Sequence, residues 1–251
     1  MPQPWLVGIE KRNRRGVEKD FRHYDRPGLV WEKINLQTWD YSKGDGSRKR
    51  VRRNLILHLR DLAMMCILYW TGSRISEVVR ARIYQLDEDK VLQYIGPLPS
   101  LKASQFVYAE PDFINLRGLR IIKRKVKHVD DYGVRMEIRF PLTGDLSKFT
   151  DPVVQYLDLL IKDKGPDAEL FPFKKHRGYQ IVEHSTQIGK KNGLMPHYLR
   201  EMGLKFRLRL YDRNIKQLKV FSGHKHLENL LRYLDELEDP KAILDYKIEE
   251  M

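Results

Sequence analysis

Five side chains in three separated stretches carry the types and spacing that phosphate-ester chemistry needs. In "TGSRISEVV", Arg74 stands just after a glycine turn at a helix start. In "MPHYLRE", His197 and Arg200 are three apart, so a helix places them on one face. In "SGHKHLENLLRYL", His224 precedes Tyr233 by nine residues. Attack on a phosphodiester builds charge on two non-bridging oxygens, and catalysis there is mainly positioning plus electrostatic stabilisation. Two arginines can provide this without a metal, because guanidinium is always charged and forks onto phosphate oxygens. Arg74 and Arg200 are assigned that role. A phenol is a weak nucleophile while protonated and needs a base or a strong positive potential nearby. The arginines supply the potential, and His197 is the acid/base partner.

Tyr233 has two readings. Leu227, Leu230, Leu234 and Leu237 form a helical stripe, and Tyr233 stands at its edge, roughly 60° from Leu230 at 3.6 residues per turn. An edge position lets the ring lean on a core while the hydroxyl reaches out. The other reading is one more core aromatic.

The elements that must position these groups follow from periodicity and turn signals. A helical pattern begins at Arg53 with "NLILHLRDLAMMCILYW" and stops at "TGS". A second helix starts with "RISEVVRARIYQL". Residues 90–112 are punctuated by Pro and Ser and read as an extended insertion. "INLRGLRIIKRKVKH", "DDYG" and "VRMEIRFPL" predict two strands about a turn. "DPVVQYLDLLIKD" predicts a helix opened by an Asp-Pro pair, and "GPDAELFPFKKHRG" predicts a loop. Four more helical patterns cover 178–192, 196–209, 213–221 and 226–238. The expected fold class is α+β and mainly helical, with a small antiparallel β-sheet packed on a helical bundle. Residues 1–50 are a basic N-terminal segment, and residues 51–251 a catalytic domain with an acidic tail.

The chain of 251 residues carries 47 Lys+Arg against 34 Asp+Glu, a net charge of +13, which favours a polyanionic partner and nucleic acid first. Residues 1–53 hold 14 Lys/Arg and 7 Asp/Glu, with Trp5, Trp31 and Trp39 among them. This suits a DNA-gripping arm or a small subdomain with packed tryptophans. Residues 235–251 hold 7 acids and 2 lysines, so the tail is not a DNA-binding arm. Apolar residues make up 41 % of the chain, which excludes a wholly disordered protein.

Cys66 is the only cysteine, which excludes an internal disulfide and a cysteine-based zinc site. It reads as a buried inert thiol. His176, His184 and His226 have no metal-ligand partner at helical or hairpin spacing, and no cofactor is expected. The apolar run "LAMMCILYW" is too short to span a bilayer and the N-terminus has no signal-peptide core, so a cytoplasmic, nucleoid-associated protein without a membrane partner is expected.

The ordered set "TGSRISEV", a lysine-rich hairpin, "HYLR", "SGH" and Tyr233 resembles the tyrosine recombinases, or phage-type integrases, over about residues 51–238. The resemblance implies their catalytic fold and site-specific cleavage and rejoining of duplex DNA for a mobile element, by a homodimer or homotetramer. It implies that Tyr233 becomes linked to a 3′-phosphate and frees a 5′-hydroxyl. The bond energy is kept, so neither ATP nor metal is needed. It also implies that His224 hydrogen-bonds the scissile phosphate and that a hairpin lysine protonates the leaving oxygen. Lys123, Lys125 and Lys127 share one strand face, so alternation cannot choose among them. The family's lysine sits close to the turn, which favours Lys127, then Lys125. Glu77 reads as a brace for Arg74 or for that lysine, or as a plain i,i+3 ion pair. The long segment between Arg74 and the hairpin departs from the family. So does an N-terminal region of 50 residues, too short for the usual core-binding domain. Two other readings share the fold: a DNA-binding protein without catalysis, and an enzyme that relaxes supercoils without strand exchange.

Overall fold

The computed structural model describes residues 48–86, 91–121, 133–185, 195–211, 214–224 and 230. Helix α1 (Arg48–Thr71) is its axis. Every residue from Leu62 to Thr71 is buried. A helical stretch apolar on all sides has to be surrounded on all sides, and residues 62–71 are. Helix α3 (Asp151–Lys164), helix α4 (Lys175–Ser185) and helix α5 (Pro196–Leu210) all pack on it. Val153, Tyr156 and Leu157 of α3 and Leu199, Met202 and Phe206 of α5 enter the shared core.

Two helix starts are fixed by proline. Pro152 follows Asp151 in the first turn of α3, and Pro196 opens α5, where a missing N–H costs nothing. The contact between α1 and α5 is unusually close. A Cβ on Gly203 would collide with the Tyr69 carbonyl oxygen, so only glycine lets the backbones meet there.

The second helix is much shorter than "RISEVVRARIYQL" led us to expect. Helix α2 covers only Ile75–Val78, and Val79 turns the chain into extended backbone, with φ −97° and ψ 173°. Strand β1 (Ala81–Leu86) follows and pairs antiparallel with β2 (Leu92–Leu98). Alternation explains this outcome: Val79, Ala81 and Ile83 alternate with Arg80, Arg82 and Tyr84, a period of two that the helical pattern obscured. Arg80 anchors the strand's start with a two-pronged ion pair to Glu169, at 2.8 and 2.9 Å. Glu169 also accepts from the Ser100 N–H and hydroxyl, both at 3.1 Å, so one carboxylate closes the base of the hairpin.

The stretch 90–112 is likewise more regular than an open insertion. It contains β2, a 3-10 turn at Ala103–Gln105 and strand β3 (Phe106–Glu110). Strand β3 joins β4 (Phe113–Ile121) and β5 (Gly133–Pro141) in a three-stranded antiparallel sheet of order β3-β4-β5. The two strands expected about a turn are β4 and β5; the turn itself lies outside the described residues. Ile114, Leu116, Ile138 and Phe140 face the helices. The Trp70 indole N–H donates to the Arg139 carbonyl at 2.7 Å and pins the end of α1 to this sheet.

Helix α4 begins at Lys175, so the end of the expected loop "FPFKKHRG" is already helical. Helix α6 (Ile215–Ser222) is capped by the Asn214 side chain, which accepts from the Gln217 N–H at 3.0 Å. The pattern at 226–238 is described only at Leu230, which is helical and buried against Leu204, Leu208, Ile215 and Leu218. The fold is α+β, with helices and small antiparallel sheets.

Candidate active site

The ends of three helices meet at one buried guanidinium. The first is the turn after α1. Gly72 takes a left-handed conformation, φ 56°, and its N–H donates to the Tyr69 carbonyl at 3.2 Å. The turn leaves the Gly72 carbonyl exposed to the interior. Arg200, one turn into α5, donates to that carbonyl from Nη1 at 2.5 Å. Its side chain is 1 % exposed.

The second is the start of α2. Glu77 closes a reciprocal cap with Arg74: its Oε2 accepts the Arg74 N–H at 2.8 Å, and its own N–H donates to the Arg74 carbonyl at 2.9 Å. The same carboxylate faces both arginines, with Oε1 3.2 Å from Arg74 Nη1 and Oε2 3.9 Å from Arg200 Nη1. Glu77 is therefore more than an i,i+3 pair. It is a fully buried acid between two cations, and it holds the Arg74 side chain, 41 % exposed, at the mouth of the site.

The third is the end of α6. Gly223 is left-handed, φ 68°, and its N–H donates to the Lys219 carbonyl at 3.0 Å, an ordinary helix stop. Glycine is needed here twice over, because a Cβ would stand 2.6 Å from Ile121 Cδ1. The turn delivers His224 to Arg200. Arg200 Nη2 lies 3.3 Å from His224 Nε2 and 3.4 Å from the Ser222 carbonyl. A guanidinium can only donate, so Nε2 accepts and the proton sits on Nδ1. Nδ1–H donates to the Ser222 hydroxyl at 2.6 Å, which in turn donates to the Lys219 carbonyl at 3.2 Å. In this arrangement His224 is a neutral ring with its tautomer set by Ser222.

The site thus gathers Arg74, Arg200 and His224 of the residues expected from sequence, together with Glu77. His197 is exposed in the first turn of α5, three residues before Arg200. The contact of Ile121 with Gly223 brings the end of β4 against the turn that presents His224. Lys123, Lys125 and Lys127 follow β4 directly and lie outside the described residues, as does Tyr233. Leu230, three residues before Tyr233 in the sequence, is buried against α5 and α6. Ser222 and the Gly72 carbonyl were not singled out from sequence. Serine beside "GH" was a weak signal, and a carbonyl gives none.

Two positive groups against one negative leave this cluster a net cation, suited to an anion at its exposed Arg74 edge. Among the described residues no group of three or more His, Cys, Asp or Glu is placed to hold a metal ion. Cys66 is fully buried and burial pushes its thiol pKa up, as expected of an inert core residue. No helix among the described residues is long and apolar enough to cross a membrane. Comparison with models of known protein families and with curated proteins finds no match to the chain.

Proposed function

We propose that this chain breaks and rejoins duplex DNA by the tyrosine-recombinase route. The observation that carries the reading is that Glu77 faces both Arg74 and Arg200 while Arg200 also meets His224, which joins stretches 126 and 24 residues apart. Two guanidiniums and an imidazole gathered in one cluster are what a phosphate under attack requires. The net charge of +13 supports a DNA partner. The α+β arrangement is read as the catalytic fold of that family, acting as a homodimer or homotetramer on its site in a mobile element.

In this mechanism Arg74 and Arg200 neutralise the non-bridging oxygens, and His224 adds a hydrogen bond to one of them. To do so, Arg200 releases His224, and the ring proton moves from Nδ1 to Nε2, with Nδ1 now accepting from the Ser222 hydroxyl, so that Nε2–H can donate to the phosphate. His197 takes the proton of Tyr233, whose oxygen forms the new bond to phosphorus. The bond to the 5′-oxygen breaks, and that oxygen takes a proton from the hairpin lysine, with Lys127 first in order. Rejoining is the reverse, with the 5′-hydroxyl as nucleophile and Tyr233 as leaving group. Neither step consumes ATP or calls on a metal.

The test is a nicked duplex of the chain's own flanking DNA, from which the cleaved piece diffuses away. A covalent complex is expected with the natural protein in EDTA, and none with Tyr233→Phe. Non-covalent binding should weaken with salt by a log–log slope of about −0.9 per phosphate neutralised. Tight, salt-sensitive binding with no adduct would leave the non-catalytic DNA-binding reading instead.

A further inference from the structure

Arg207 follows Arg200 by two helical turns on the same face of α5 and is buried, 8 % exposed. Its guanidinium contacts a carbonyl and two rings, and it also hydrogen-bonds the Tyr211 side chain. Nε and Nη2 both donate to the Trp70 carbonyl, at 3.2 and 3.1 Å. The guanidinium carbon lies 4.7 Å from the centre of the Trp70 ring and 5.0 Å from that of Phe221.

The placement of these two aromatics is the point. Trp70 is in the last turn of α1, four residues before Arg74. Phe221 is in the last turn of α6, three residues before His224. Helix α1 has no basic residue in its own last turn. Its terminal carbonyls carry the negative end of the helix dipole and need donors. Helix α5 supplies them: Arg200 on Gly72, Arg207 on Trp70, with Gly203 between them allowing the approach.

We propose that Arg207 is a positioning residue that locks the end of α1 and the end of α6 onto α5, and so holds Arg74, Arg200 and His224 in one constellation. The catalytic part of this inference rests on the strand-breaking reading above; the structural part does not. A planar guanidinium is required, because only it can fork onto a carbonyl while lying against two rings. A lysine keeps the charge but loses the planar fork onto the carbonyl.

The test uses Arg207→Lys in the full chain, with Phe221→Leu as a second variant that keeps the guanidinium and removes one ring. Amide hydrogen exchange and DNA cleavage are measured on each. Exchange is expected to rise about tenfold at 72–74 and 222–224 together, with α3 unchanged. Adduct formation on the nicked duplex is expected to slow about tenfold or more at unchanged DNA affinity. Exchange that rises at one segment alone, or throughout the protein in both variants, would overturn the inference. So would an adduct rate equal to that of the natural protein. If the natural protein forms no adduct, the strand-breaking reading fails and the paired exchange response alone decides the role of Arg207.

Discussion

Arg200 donates to the carbonyl of Gly72, 128 residues earlier in the chain, at 2.5 Å. The bond fixes the turn that presents Arg74 by means of the second arginine of the site, so the two cations are placed together. Arg200→Lys keeps one charge but cannot span Gly72, Ser222 and His224 at once. We expect covalent complex formation to fall about a hundredfold or more, the size of losing a preorganised transition-state donor. Gel quantification of the adduct over time checks this, with filter binding to show that the DNA is still held.

Glu77→Gln separates bracing from binding. The amide retains an oxygen for the Arg74 N–H but removes the buried charge facing both arginines. Melting should drop by about 3 kcal/mol, roughly 6–12 °C for a chain of this size. Cleavage should slow while affinity for DNA holds or rises, since one negative charge leaves the neighbourhood of the phosphate. A parallel loss of affinity and rate would contradict the bracing role.

Gly223→Ala tests the turn that delivers His224. The substitution forces a side chain into left-handed backbone and against Ile121. A destabilisation of about 1–3 kcal/mol is expected, read by thermal melting, with slower adduct formation because His224 shifts from Arg200.

The hairpin base gives a pH signature. The hydrogen bonds from Arg80, then those from Ser100, hold the Glu169 carboxyl below its ordinary value. A depressed carboxylate contributes stability that is present above its unfolded value and is lost as pH falls through the folded one. Melting temperature should therefore decline on acidification below about pH 4.5. Glu169→Gln should be less stable at neutral pH and show a shallower acid decline, most visibly at low salt because the pair is partly exposed. Identical acid slopes for the two proteins would refute the assignment.

Much of the helical frame was legible because burial writes itself as periodicity. The run from Leu62 to Trp70, the Asp151-Pro152 start and the spacing of His197 and Arg200 each led to the right element. Strand β1 was missed because "RISEVVRARI" satisfies a helical stripe and a strand alternation at once; a non-local partner, β2, and the Glu169 anchor decide for the strand. That Arg74, Arg200 and His224 belong together was legible, but the way they are held was not. The bond from Arg200 to Gly72, the Ser222 tautomer lock on His224 and the Arg207 fork join residues across 128, 2 and 137 positions through carbonyls and rings that leave no mark in a motif.

The central claim is that Tyr233, among 13 tyrosines, is the residue that bonds to DNA, and at a 3′-phosphate. The direct measurement is to trap the complex on a nicked duplex labelled at either end of the cleaved strand, digest it, and locate the modified peptide by mass spectrometry. The account predicts a nucleotide joined through its 3′-phosphate to the peptide containing Tyr233, with a free 5′-hydroxyl on the released strand. An adduct on another residue, a linkage to a 5′-phosphate, or cleavage with no protein attached would contradict it.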